Sequence, residues 1–230
     1  MTMITGVADA ILHFYRNIEK DQHHRYRSWE HCFSFFQKLH NNNSAQLADT
    51  AALQLAFYLA SWGMYRGSSK LLQKDYRVHV PIVHEVMEEK YNLLWKISFD
   101  NPETNETGIA LLFQLSDAIA RLYSELKVSP TTTLVTKVIL GVLGRVPAYD
   151  SLFIKGVIFW NQSLSSEEAK FPARFGEASY RGLIKFYKEH KEEFLEAQTY
   201  TEKQGIAYPI MKLADMYFWT LGFQLANKSQ

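Results

Sequence analysis

The densest run of chemically useful side chains lies between Pro130 and Trp160 (PTTTLVTKVILGVLGRVPAYDSLFIKGVIFW). Lys137 precedes Asp150 by thirteen positions, with Arg145 and Tyr149 in the connection between them. An amine and a carboxylate on neighbouring elements can act as nucleophile and as stabiliser of a developing positive charge, while Arg145 and Tyr149 supply substrate contacts. Local signals arrange the segment. Thr131, Thr132 and Thr133 offer N-cap hydroxyls, Leu134 to Leu143 makes a short helix, and Gly144 ends it in the left-handed conformation. Pro147 then forces an extended step and Asp150 caps the next helix. The same residues also permit a plainer reading, in which Asp150 is an ordinary N-cap and Lys137 an exposed helix residue.

Two further segments combine aromatic surface with hydrogen-bond donors. His23 to His31 (HHRYRSWEH) holds three histidines, two arginines and a tryptophan. If it opens a helix, Arg27 and His31 share a face and Trp29 turns inward, so that Arg25, Arg27 and His31 form a basic surface for phosphates or a stacked base. His24 and His31 are seven apart, roughly 10 Å along a helix, which is too far for one metal ion; no metal site and no cofactor are expected. Ser61 to Lys70 (SWGMYRGSSK) interrupts an apolar stretch. There Trp62 and Tyr65 offer flat faces, Arg66, Ser68 and Ser69 offer donors, and Gly63 and Gly67 permit close backbone approach. A pocket for an extruded base needs stacking for its ring and hydrogen bonds for its edge. A helix-helix turn with Trp62 and Tyr65 in the core is the alternative.

A lysine on one helix, then a small-residue, proline-containing connection ending in an aspartate that opens the next, resembles the helix-hairpin-helix DNA glycosylase superfamily. The resemblance covers about thirty residues and rests on Lys137 and Val146 to Asp150 (VPAYD). It implies that Asp150 stabilises the positive charge on the sugar as a damaged or modified base leaves. It also implies that Lys137 attacks C1′ to form a Schiff base and that DNA is the partner, in repair or in defence against phage with modified DNA. The sequence departs from the family in its shorter lysine-to-aspartate spacing and in having Thr131 to Thr133 where a glycine-rich hairpin is usual. A second resemblance is to HEPN-type ribonucleases, which carry an arginine and a histidine with four to six residues between them on a helix. Arg25 with His31, Arg16 with His23 and Arg77 with His84 fit that loosely. The non-enzymatic alternative is an all-α interaction module with a protein partner.

The elements that must position these residues are helical. Ile4, Val7, Ile11, Phe14, Tyr15 and Ile18 recur at helical spacing, as do Trp29, Cys32, Phe33, Phe36 and Leu39, and Leu111, Leu115, Ile119, Leu122 and Leu126. Ala51 to Ser61 is apolar nearly all round, which predicts a central helix surrounded by others. Asn41 to Ser44 and Asp100 to Thr107 read as loops, Ser165 with Glu168 as a capping box, and Lys188 to Glu193 as a solvated helix face. No strand alternation persists, so the expectation is an all-α protein of about eight to ten helices. Residues 1–230 are expected to form a single domain, or two fused helical lobes meeting near 100–130.

With 230 residues of which 47% are hydrophobic, the chain can bury a sizeable core. Its 25 lysines and arginines face 24 aspartates and glutamates, so nucleic-acid binding must use a local patch rather than a global field. One cysteine, Cys32, excludes an internal disulfide, and no apolar run reaches the length of a membrane span. A cytoplasmic, non-membrane protein is expected. Met1 to Thr5 resembles the leader of a common cloning-vector reporter and carries no functional weight.

Overall fold

A computed structural model describes residues 6–42 and 47–228, so Met1 to Thr5 and part of the Asn41 to Ser44 break lie outside the described residues. The protein is all-α: among the described residues there are 11 α-helices, joined by short 3-10 turns, and no strand. Contacts divide the chain into two units, one of residues up to His24 together with those from Gly144 onward, the other Arg25–Leu143. The region 100–130, where two lobes were expected to meet, is spanned for most of its length by one long helix, α6 (Pro102–Glu125). Pro102 opens α6 at its first position, where the missing N–H costs nothing. Most of the Asp100 to Thr107 segment is therefore helix rather than loop.

The Arg25–Leu143 unit contains α2 (Arg27–Asn42), α3 (Ala48–Ser61), α4 (Val80–Val86), α5 (Asn92–Lys96), α6 and α7 (Thr132–Val142). Helix α3 packs against α2, α4 and α7, and α6 against α4, α5 and α7. Trp29, Phe36, Leu55, Tyr58 and Ile139 are fully buried. Helix α3 is less enclosed than its apolar sequence predicts, since Leu53 is 50% and Phe57 61% exposed. The N-cap of α7 is as expected, with the Thr131 hydroxyl accepting from Leu134 N at 3.2 Å.

The other unit consists of α1 (Val7–Glu19), α8 (Ser151–Ser163), α9 (Glu177–Glu189), α10 (Lys191–Lys203) and α11 (Ile210–Lys228). Helix α11 packs chiefly on α8, and also on α1, α9 and α10, around Phe153, Phe186, Phe194, Tyr217 and Phe218. The charged run from Lys188 is not one solvated face: it breaks at His190, and Glu193 accepts hydrogen bonds from Val7 N (2.8 Å) and Ala8 N (3.2 Å). That carboxylate satisfies two of the orphan N–H groups at the start of α1. Ser165 and Glu168 make no capping box, because only a 3-10 turn, Glu167–Ala169, follows, without a side-chain cap.

Helices α8 and α11 meet backbone to backbone. A Cβ on Gly156 would lie 1.9 Å from Phe218 O, and one on Gly222 2.0 Å from Leu152 O. A carbonyl cannot swing aside as a flexible side chain can, so the helices must separate. Gly156→Ala is expected to cost about 1 to 3 kcal/mol or more by overpacking, outweighing alanine's better helix propensity. Gly67→Ala, where a Cβ meets nothing within 4 Å, serves as the near-neutral control in urea unfolding.

Candidate functional site

Within the Arg25–Leu143 unit, three segments distant in sequence meet. Helix α3 ends in a Schellman motif: Gly63 takes φ +72°, Met64 N bonds Leu59 O at 2.8 Å and Gly63 N bonds Ala60 O at 2.9 Å. Trp62 is thereby fixed at the helix end. Helix α2 is anchored by Trp29, whose indole N–H donates to Leu140 O on α7 at 2.9 Å. Helices α3 and α7 also approach closely, since a Cβ on Gly141 would lie 2.4 Å from the Tyr58 ring.

The result is an aromatic pair flanked by cations. Tyr26 stacks on Trp62 with centroids 4.4 Å apart and planes 24° from parallel. The Arg25 guanidinium lies 4.8 Å from the Tyr26 centroid and donates to the Tyr26 hydroxyl at 3.0 Å. Lys137 lies 5.6 Å from the Trp62 ring and donates to Trp62 O at 3.0 Å. Both rings are half-buried, and Arg25, Arg66 and Ser68 are exposed. Lys137 is not the exposed helix residue of the plainer reading: it is 5% exposed, and its ammonium is held on a carbonyl and an indole. To reach a substrate this amine would have to leave the Trp62 carbonyl.

Several residues singled out in the sequence are committed elsewhere. The Ser69 hydroxyl is buried inside its own turn, bonded to Met64 O, within 2.9 Å of Arg66 O and accepting from Leu71 N at 3.3 Å; it cannot read a base edge. The Tyr65 hydroxyl bonds His79 Nε2 at 2.9 Å, and burial raises its pKa to about 12. Gly67 makes no close approach. Arg27 pairs with Glu30 at 3.1 Å, although its Nε and the Ser28 hydroxyl are buried without a hydrogen-bond partner. His31 is exposed, away from the core side of α2 on which Trp29 sits. The HEPN-like pairs do not share helices: Arg25 precedes α2, His23 follows α1, and Arg77 lies in a 3-10 turn ahead of α4, which carries His84.

In the other unit, Asp150 opens α8 as predicted, its Oδ1 accepting from Leu152 N (3.1 Å) and Phe153 N (3.0 Å). Tyr149 is not a surface contact. It is 2% exposed, packed on Phe153 and Phe175, with its hydroxyl 2.8 Å from Ser179 Oγ. Arg145 is partly buried, which lowers its pKa from the ordinary guanidinium value, and its carbonyl accepts from Tyr180 at 2.9 Å. Beneath the connection lies a pair not read from the sequence. Lys212 donates to Asp215 Oδ2 at 3.0 Å, both residues are 2% exposed, and Asp215 Oδ1 accepts from Ala148 N at 2.9 Å. Burial raises the Asp215 pKa against the pull of Lys212, and the nearby Asp150 carboxylate raises it further. The signal was two charges at i,i+3 inside the apolar run from Ile210 to Trp219.

His79 is fully buried between Tyr65 and Tyr123, with Nδ1 2.8 Å from the Tyr123 hydroxyl. Desolvation lowers its pKa to about 3, so it stays neutral and ties the 62–79 loop to α6. The unfolded chain takes up this proton near pH 6.5 and the folded one does not, so stability is lost as pH falls from about 6.5 toward 3. Between pH 7.5 and 4.5 the wild type should lose about 2 to 3 kcal/mol more than His79→Gln, as urea unfolding would measure. Equal losses in both proteins would contradict the assignment.

Among the described residues no group of three or more His, Cys, Asp or Glu side chains is placed to hold a metal, and no helix is long and apolar enough to cross a membrane. Comparison with protein-family models, curated proteins and solved structures found no match to this chain.

Proposed function

We propose that this protein binds DNA and removes a damaged or modified base by cleaving the N-glycosidic bond. The observation that carries the nucleic-acid part is the Tyr26–Trp62 stack with Arg25 on its exposed side and Lys137 against its indole. Cations beside aromatic rings attract phosphates and offer surface to bases, and this local patch answers the absence of a global basic field. Arg66 and Ser68, exposed on the turn that follows Trp62, extend the set of donors.

The chemical part rests on Asp150. As the C1′–N bond breaks, its electron pair leaves with the base, which takes up a proton, and the sugar becomes oxocarbenium-like. In this reading the Asp150 carboxylate stabilises that charge, and water adds to C1′ and loses its proton. Lys137, held as an ammonium on Trp62 O, serves to support the aromatic pair rather than to attack.

Binding is tested by fluorescence anisotropy with single-stranded and duplex oligonucleotides over a salt series. The double variant Arg25→Gln/Arg66→Gln should bind about tenfold or more weakly and show a salt slope shallower by about one to two. Both arginines are exposed, so melting should be unchanged. Wild-type binding that does not respond to salt, or a double variant that binds equally well, would remove the patch from the proposal.

A further inference from the structure

Helices α2 and α3 enclose an open groove of about 640 Å³ on the Arg25–Leu143 unit, floored by Phe35, Leu53 and Phe57 and edged by His31 and Lys38. Leu53 and Phe57 sit four apart on α3, and His31, Phe35 and Lys38 follow at helical spacing on α2. With Phe57 61% and Leu53 50% exposed, the floor is an uncovered stripe rather than an enclosed cavity of the kind that buries most of a small ligand. A valley between two packed helices takes a third helix most readily, because ridges on the incoming helix fit the groove they leave.

The charge around the valley selects the occupant. Among the described residues no carboxylate lines it, and Lys38 contributes a positive edge. The carboxylate one turn before Leu53 on α3, Asp49, is already engaged by Arg77 at 3.2 Å and the Tyr76 hydroxyl at 2.9 Å. A second copy of this chain docking groove to groove would bring like charges together, which is destabilising. We propose that the α2–α3 groove docks an amphipathic helix of a protein partner, with apolar residues at i, i+4 and i+7 and acidic residues along its flank. This surface is separate from the Tyr26–Trp62 patch and does not depend on the nucleic-acid reading.

The probe is a fluorescent synthetic helix of about 16 residues with leucines at those positions and glutamates beside them, compared with the same peptide carrying lysines for glutamates. The glutamate peptide should bind at least tenfold more tightly than the lysine peptide, and Lys38→Glu should invert that preference. Phe57→Ser should weaken glutamate-peptide binding at least tenfold while melting stays unchanged, since Phe57 is largely exposed. The proposal is overturned if the glutamate peptide does not bind, if both peptides bind alike, or if Lys38→Glu has no effect. It is equally overturned if Phe57→Ser abolishes a concentration-dependent dimer in sedimentation, or a binding to anionic phosphatidylserine vesicles, instead of peptide binding.

Discussion

Asp215→Asn is expected to lower folding stability by about 3 to 5 kcal/mol. The substitution preserves shape and leaves an acceptor for Ala148 N, so the loss isolates the charge. Lys212 is 2% exposed, and the substitution takes away the carboxylate charge on which its ammonium is held at 3.0 Å. The double variant Lys212→Met/Asp215→Asn removes both charges and keeps the Ala148 contact. It should recover most of the loss, because a well-packed apolar replacement for a buried pair is often neutral or better. Urea unfolding of the two variants and the wild type at pH 7 provides the cycle. A loss below about 1 kcal/mol in Asp215→Asn would mean that water reaches the pair, contrary to its burial. The pair also bears on function, since Asp215 holds the Ala148 amide two residues before Asp150 and so fixes where α8 begins.

Much of the local architecture was legible because it follows from short-range chemistry. Thr131 and Asp150 cap the helices they precede, Gly144 takes φ +64°, and Trp29 turns into the core. Each of these depends on neighbours within a few positions. The discontinuous division into units was not legible, since it depends on which helices pack together and on α6 continuing through a turn-like composition. Residues with two plausible employments were read less well. Ser69 looked like a donor to substrate, but a buried hydroxyl in a tight turn finds its own carbonyls first. Lys137 looked exposed because lysine usually is, yet α7 lies against α3 and carries it onto the carbonyl of Trp62. The stacking of Tyr26 on Trp62 joins residues 36 apart in sequence and has no periodic signature at all.

Asp150→Asn should abolish base release while leaving the fold intact, and the two effects have separate physical causes. Asparagine accepts from Leu152 N and Phe153 N as aspartate does, so the α8 cap survives, and melting measured alongside reads the separate effect of removing a charge near the Lys212–Asp215 pair. In the proposed reaction, what is lost is a negative charge facing the sugar as the base departs. Removing one such electrostatic contact costs catalysis about a hundred- to a thousandfold, roughly 3 to 4 kcal/mol of transition-state stabilisation. The assay is single-turnover base release from duplexes carrying a panel of alkylated, oxidised, deaminated and glucosylated bases, with binding measured in parallel so that a lost contact to substrate is not mistaken for lost chemistry. Borohydride added during turnover should trap no protein-DNA adduct if, as proposed, Lys137 stays on Trp62 O and water attacks in its place. A well-folded Asp150→Asn protein with full activity would assign the aspartate to capping alone. A trapped adduct lost in Lys137→Gln would instead show that the lysine leaves Trp62 when substrate binds.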